Sequence, residues 1–124
     1  MTAITNDIFN IDSISHANDT IESILSINSG STIFDGHFPG QPVVPGACML
    51  QVVKDVLECA LSCSLQLKKA SNIKFISMIV PSLNDMIQLE ISYKLVDDVI
   101  NVNAKLVSND VICFKFQGSF GRVG

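Results

Sequence analysis

The sequence is dominated by an eleven-residue stretch that reads Gly36-His37-Phe38-Pro39-Gly40-Gln41-Pro42-Val43-Val44-Pro45-Gly46. This stretch contains three of the four prolines and three of the seven glycines in the chain. Proline fixes its own φ angle and glycine reaches conformations that other residues avoid, so a loop rich in both is built to hold one shape. We expect this loop to lead directly into a helix.

The residues that follow the loop have the spacing of a long helix. Between residues 47 and 65, polar side chains recur at offsets of three and four, which places them on one stripe of a helix. They are Gln51, Lys54, Asp55, Glu58 and Ser62. The rest of this segment is largely apolar, so we expect the helix to be buried on most of its circumference.

The segments on both sides of this helix have the patterns of β-strands. Apolar runs at residues 7–11 and 20–27 flank a polar cluster at residues 15–19, which predicts two strands and a turn. After the helix, apolar residues alternate with polar ones at residues 87–95 and 100–106, which predicts half-buried antiparallel strands. One further strand is expected before them at residues 73–80 and one after them at residues 111–120. The order predicts one α+β domain over residues 1–124, in which an antiparallel sheet covers a single long helix.

The composition excludes several classes of function. A formal net charge of -4 and a sequence pI near 4.8 argue against a nucleic-acid partner, because phosphate binding needs a basic face. Residues 1–7 lack a basic apolar leader and the chain has no run of eighteen apolar residues, so we expect a cytoplasmic protein without membrane contact. The four cysteines form no Cys-x-x-Cys pair, and neither histidine lies at a zinc-site spacing from them. We therefore expect reduced structural thiols and no metal.

The junction of loop and helix is the part of the sequence best suited to chemistry. A helix that begins near Gly46 or Ala47 leaves its first N–H groups unpaired, and these can bind an oxyanion or a polarised carbonyl. His37 lies nine residues upstream of Gly46, and an imidazole held there can remove a proton from the carbon next to a thioester. The loop composition leaves open that His37 only hydrogen-bonds a backbone carbonyl. His16, in the polar cluster, is interpreted as a solvated residue.

The stretch from Gly36 to Gly46 resembles the Gly-His-Phe-Pro-Gly-x-Pro-x-x-Pro-Gly signature of the FabZ-type 3-hydroxyacyl-acyl-carrier-protein dehydratases. The histidine, three prolines and three glycines are all in register, and the order of predicted elements also fits from about Ile8 to Phe120. The resemblance implies a hot-dog fold, with the sheet wrapped around the central helix, and a dimer whose sheets join edge to edge. It further implies an acyl tunnel along the helix and a substrate that acyl-carrier protein delivers for fatty-acid or related acyl-chain synthesis.

The resemblance also implies roles for individual residues. His37 would be the base, and the backbone N–H of Gly46 would hold the thioester carbonyl. Residues expected to bind the substrate are Phe38, Pro39, Gly40, Val44, Pro45 and Ala47. No metal or organic cofactor is implied, since this chemistry needs a base, an oxyanion site and a tunnel.

Gln51 departs from the family pattern. The family has a carboxylate fourteen residues after the histidine, where it helps the hydroxyl to leave in the partner subunit's site. Glutamine can orient a hydroxyl or a water molecule but cannot exchange a proton as glutamate does, and loss of a general acid typically costs about two to four powers of ten in rate. From the residues alone, it remains open that Gln51 faces solvent with the other polar residues of the helix.

Three functions follow from this pattern. The first is a lyase that removes water from a 3-hydroxyacyl chain to give a trans-2-enoyl thioester, with Gln51 as a weakened catalytic partner. The second is a catalytically impaired subunit that binds acyl-carrier protein and pairs with a glutamate-bearing relative to rebuild one complete site. The third, an acyl thioesterase, is disfavoured because no Asp or Glu lies between Pro39 and Lys54. Carrier proteins are acidic, and candidate docking residues are Lys54, Lys68, Lys69, Lys74, Lys115 and Arg122.

Overall fold

A computed structural model describes residues 8–28, 44–80 and 86–123 of the chain. Its elements are β1 Phe9–Ala17, β2 Thr20–Ile27, α1 Gly46–Leu61, β3 Leu65–Phe75, β4 Met86–Val96, β5 Val99–Ser108 and β6 Val111–Arg122. The predicted residues His37, Phe38, Pro39 and Gly40 lie outside the described residues.

The six strands form one antiparallel sheet in the order β1-β2-β4-β5-β6-β3. Tight turns join the hairpins β1–β2, β4–β5 and β5–β6, and Asn or Asp takes a positive φ in each turn. These two residue types tolerate that conformation because their short polar side chains bond locally. The predicted α+β class, one helix against an antiparallel sheet, is confirmed.

The predicted first turn is too long. Strand β1 runs through residues 15–17, and only Asn18 and Asp19, with φ angles of 51° and 62°, form the turn. Because β1 is an edge strand whose later residues are exposed, polar side chains are compatible with strand structure there.

The helix ends earlier than predicted, and the following strand begins earlier. Ser62 takes the left-handed conformation (φ 54°, ψ 45°) and its N–H bonds the carbonyl of Glu58, which ends α1 after Leu61. The Glu58 carboxylate then accepts the N–H of Leu65 at 2.7 Å, which fixes the start of β3. Strand β3 continues to Phe75, so the predicted strand at residues 73–80 is wrong except for its first three residues.

The helix packs on the sheet through one face only. Its buried residues are Met49, Val52, Val53, Val56 and Leu57, and they join the inward side chains of the strands in one core. Outside this face most helix residues are half-buried, and Ala47 and Cys59 are exposed. The burial predicted for most of the circumference is therefore complete on one face and partial elsewhere.

A row of five charged residues crosses the outer face of the sheet. The strand registers pair Glu22 with Glu90, Glu90 with Lys105, Lys105 with Lys115, and Lys115 with Lys74. The row, called the charged row below, therefore runs from two carboxylates to three adjacent lysines. Only Lys105 and Glu90 form an ion pair among the described residues, at 3.7 Å.

Strand β3 is an edge strand with exposed apolar side chains. It pairs with β6 on one side, and the sheet ends at its other side. Of its eleven residues only Leu65 is buried, while the exposed large side chains include Leu67, Ile73 and Phe75, followed by Ile76 and Met78. An edge of this length is a template for pairing with another strand.

In the three described ranges, no helix is long and apolar enough to cross a membrane.

Candidate functional site

The start of α1 presents the backbone donors that the sequence predicts. Pro45 is the N-cap in an extended conformation (φ -64°, ψ 146°), and its carbonyl accepts the N–H groups of Cys48 at 3.1 Å and Met49 at 3.4 Å. An α-helix supplies no acceptor for its first amides, so those of Gly46 and Ala47 have none within the helix. The positive end of the helix dipole adds to the attraction of this position for a carbonyl oxygen.

Gly46 is held close to the end of β3. A Cβ built at Gly46 would lie 2.7 Å from the Cε1 and Cζ atoms of Phe75, so the absence of a side chain lets this ring lie against the backbone of the helix start. An apolar cavity of about 320 Å³ opens beside them, lined by Val44, Gly46, Met49, Phe75, Ile76, Ser77 and Met78. The N–H of Val44 bonds the carbonyl of Ile79 at 2.9 Å, which ties the helix entry to the segment after β3.

Gln51 lines a second cavity, between α1 and β3. This cavity measures about 520 Å³ and is lined by Ala47, Leu50, Gln51, Lys54, Leu65, Gln66, Leu67, Phe120 and Val123. Of the predicted site residues, Val44 and Gly46 therefore meet at the first cavity, and Ala47 and Gln51 meet at the second. Gln51 is half-buried, so it does not simply face solvent.

Asp55 is the residue that the sequence analysis missed. Its Oδ1 accepts a hydrogen bond from Nε2 of Gln51 at 2.9 Å, whereas its Oδ2 is closed to solvent and has no hydrogen-bond partner among the described residues. Burial raises the pKa of this carboxyl above its ordinary value of 3.8, and the negative charge of Glu58 adds to the rise, against the bond from Gln51 and the charge of Lys54. The spacing of four residues on a helix was the available signal that Gln51 and Asp55 touch.

His16 is exposed, as its interpretation as a solvated residue requires, and it has one polar neighbour. Its Nε2 is 2.5 Å from the hydroxyl of Tyr93, and the rings lie 5.6 Å apart. Burial, with a smaller contribution from the charge of Asp19, raises the pKa of the Tyr93 hydroxyl. This pair lies on β1 and β4, away from both cavities, so it does not belong to the candidate site.

Two of the proposed docking residues fall on the charged row. Lys74 and Lys115 lie side by side there, in a shallow depression of about 540 Å³ on the outer face. Lys54 lines the α1–β3 cavity, and Lys68, Lys69 and Arg122 lie exposed on β3 and β6. Within the described ranges, no three of the residues His, Cys, Asp and Glu come together as they would around a metal ion.

One helix against a six-stranded antiparallel sheet defines a hot-dog-fold protein. The chain belongs to the ApeI-like family, described as ApeI dehydratase, whose profile matches residues 13–115. The predicted resemblance to the FabZ-type dehydratases is confirmed by the 3-hydroxyacyl-[acyl-carrier-protein] dehydratase FabZ of Syntrophomonas wolfei, which is 36% identical over 73 residues. That alignment covers 53% of this chain and 49% of the relative, so the chain spans about half the length of the curated protein it matches.

Solved structures confirm the hot-dog fold. The dehydratase heterocomplex ApeI:P from Xenorhabdus doucetiae matches with a TM-score of 0.74 at 18% identity, over 91% of this chain and 97% of that one. A sigma28-regulated virulence protein from Campylobacter jejuni matches with a TM-score of 0.71 at 11% identity, over 95% and 86%. A conserved protein from Pseudomonas aeruginosa matches with a TM-score of 0.69 at 16% identity, over 99% and 96%. At these identities the likeness is one of fold.

Proposed function

We propose that this chain removes water from a 3-hydroxyacyl group carried on acyl-carrier protein and releases a trans-2-enoyl thioester. The observation that carries the proposal is the match to the ApeI-like dehydratase family over residues 13–115. The α1 start supports it, because amide donors that have no acceptor within the helix lie beside an apolar cavity, and this arrangement suits a thioester with an alkyl or similar chain. The similarity of the aligned half to a FabZ dehydratase is consistent with this substrate class.

In the proposed reaction the backbone N–H of Gly46 binds the thioester oxygen, where negative charge develops as the C2 proton leaves. His37 takes that proton, and the electrons of the C2–H bond form the C2=C3 double bond while the C3–O bond breaks. The chain of the substrate lies along Val44, Pro45 and Ala47, together with Phe38, Pro39 and Gly40 of the preceding loop. The leaving hydroxyl needs a proton to depart as water, and the amide of Gln51 cannot supply it as a carboxylic acid does.

We propose further that the active form is a pair of hot-dog chains joined through β3. The exposed edge of β3 and the exposed side chains of Leu67, Ile73 and Phe75 support this assembly, since pairing covers both the unpaired backbone groups and the apolar surface. The Gln51 cavity opens between α1 and β3, next to the edge where a second chain would join. A homodimer would place Gln51 in both sites.

A mixed pair is the second candidate assembly, and Gln51 is the observation that favours it. A related chain with glutamate at the corresponding helix position would complete one site together with His37 and leave Gln51 in the other. The similarity to a chain of the dehydratase heterocomplex ApeI:P is consistent with such pairing. In this arrangement the present chain is an impaired subunit that binds the carrier protein.

The test is a mass-spectrometric assay of 3-hydroxyacyl-carrier protein incubated with the chain, alone and co-expressed with a glutamate-bearing hot-dog relative. Loss of one water molecule, abolished in His37→Ala and retained in the matched control His16→Ala, is the expected result. Activity only in the co-expressed sample favours the mixed pair, whereas native mass spectrometry that finds only homodimers excludes it. Release of free carrier thiol in place of the enoyl product would make the chain a thioesterase and overturn the proposal.

A further inference from the structure

The carboxyl group of Asp55 is the one side-chain group among the described residues that keeps a buried oxygen without a hydrogen-bond partner. A buried acceptor left unmatched is costly, and folded proteins retain few of them. Asp55 also lies one helical turn from Gln51, the residue that occupies the carboxylate position of the family, and its other oxygen is bonded to that residue at 2.9 Å. The unmatched oxygen therefore belongs to a side chain in direct contact with the candidate site.

A neutral carboxyl group accounts for this geometry better than a carboxylate does. In the neutral form, Oδ1 is a carbonyl oxygen that accepts the N–H of Gln51, and Oδ2 carries the hydrogen. The surroundings favour the neutral form, because burial is the largest influence on the group and the charge of Glu58 acts in the same direction. The charge of Lys54 and the bond from Gln51 oppose it, and the net direction is a raised pKa.

We propose that Asp55 is the proton donor of this site. It lies one helical turn beyond Gln51 on α1 and supplies the general acid that a glutamine side chain cannot provide. The inference rests on the proposed dehydratase function. Gln51 lines the α1–β3 cavity and orients the 3-hydroxyl group of the substrate. Rotation about the Cβ–Cγ bond of Asp55, a soft torsion, exchanges its two oxygens and brings the protonated one to the side of Gln51.

The proton balance of the reaction closes with these groups. Asp55 gives its proton to the hydroxyl oxygen as the C3–O bond breaks, and the oxygen leaves as water. The base has meanwhile taken the C2 proton and holds a positive charge, while Asp55 holds a negative charge. Transfer of a proton from the base to Asp55 through solvent restores both groups before the next turnover, and no further reactant is needed.

A comparison of Asp55→Asn with Asp55→Ala distinguishes two roles for Asp55, that of a proton donor and that of a residue that only positions Gln51. Asparagine has the shape of aspartate and keeps an oxygen that can accept the Gln51 N–H, but it has no proton to give; alanine loses both functions. We expect the two variants to lose kcat equally, by about 10²- to 10⁴-fold, with little change in KM. The matched control is Asp110→Asn in the β5–β6 turn, where asparagine tolerates the positive φ of 64°.

The pH profile and a rescue variant complete the experiment. The wild-type rate should fall on the alkaline side as Asp55 ionises, and the double variant Gln51→Glu with Asp55→Asn should recover activity by returning a carboxyl group to position 51. Wild-type rates in Asp55→Asn with loss only in Asp55→Ala would overturn the inference and leave the dehydratase function intact. A wild-type chain that forms no enoyl product, alone or paired, would overturn the proposed function and this inference together.

Discussion

Reversing the charge of Lys115 should stabilise the protein, because this residue lies between two other lysines of the charged row. Its cross-strand neighbours are Lys105 on β5 and Lys74 on β3, and like charges directly opposite each other destabilise a sheet. Lys115→Glu turns two like-charge pairs into two opposite-charge pairs. At roughly 0.2–1 kcal/mol for each pair, and with the lower values expected for exposed side chains, the free energy of unfolding should rise by about 1 kcal/mol.

Urea unfolding at equal protein concentration, in low salt and in about 1 M NaCl, where the Debye length falls to about 3 Å, measures this effect. The gain should correspond to a rise of about 4 °C in Tm for a domain of this size and should shrink in high salt. Lys94→Glu is the matched control, since it makes the same change in net charge on β4 but lies opposite the neutral Asn101. Cross-strand repulsion would be refuted by equal changes in the free energy of unfolding for Lys115→Glu and Lys94→Glu. It would also be refuted if high salt did not reduce the stabilisation by Lys115→Glu.

Three other variants test separate contacts, each by its free energy of unfolding in urea. Gly118→Ala should destabilise by at least about 1–3 kcal/mol, because its Cβ would lie 2.3 Å from the backbone carbonyl oxygen of Lys69. Glu58→Gln should cost about 1 kcal/mol, since the 2.7 Å bond from the N–H of Leu65 would lose its charged acceptor. Asp55→Asn should stabilise the protein relative to the wild type, and increasingly so as the pH rises above 3.8. Because the pKa of Asp55 is raised in the folded state, the folded state binds more protons than the unfolded state between the two pKa values. The wild type therefore loses stability as the pH rises through that interval.

Each of these variants has a control or a contrary outcome. Gly121→Ala meets only the flexible end of the Lys68 side chain, so it should cost much less than Gly118→Ala, and equal costs would mean that the backbone contact is not responsible. Glu22→Gln changes a carboxylate on the outer face and should leave the β3 start unchanged. A stability difference between Asp55→Asn and the wild type that is the same at all pH values would contradict a raised pKa for Asp55.

The hairpins were the part of the fold that could be predicted best from sequence. Turns at Asp97 and at Asn109–Asp110 follow from residue type, and the strands β4 and β5 follow from their alternating pattern, because one face of each is buried. Strand β3 was largely missed because it is an edge strand with ten exposed positions, which removes the alternation on which the prediction depends.

The start of the helix at the candidate site was predicted from sequence, whereas one side-chain contact was not. The start of α1 at Gly46 follows from Pro45 and Gly46 themselves. Val44 and Ala47 line cavities, and their role in substrate binding stays a prediction. The contact of Gln51 with Asp55 and the buried oxygen of Asp55 were not predicted, since the helical pattern of one segment carries no information about the elements that pack against it. The roles of His37 and of the adjacent loop residues stay predictions.

The pairing of β3 with β6 has a consequence for the order of folding. Strand β3 leaves the ribosome directly after α1, but the strand that gives it hydrogen bonds is β6, and β4 and β5 are made in between. Leu65 therefore cannot pair with Arg122, its partner in the register, until β6 has been synthesised. Contacts so far apart in sequence form slowly. During that interval both edges of β3 are open. If a second chain joins at β3 as proposed, late pairing leaves one edge exposed to aggregation, whereas pairing before β6 has docked can occur along the wrong edge.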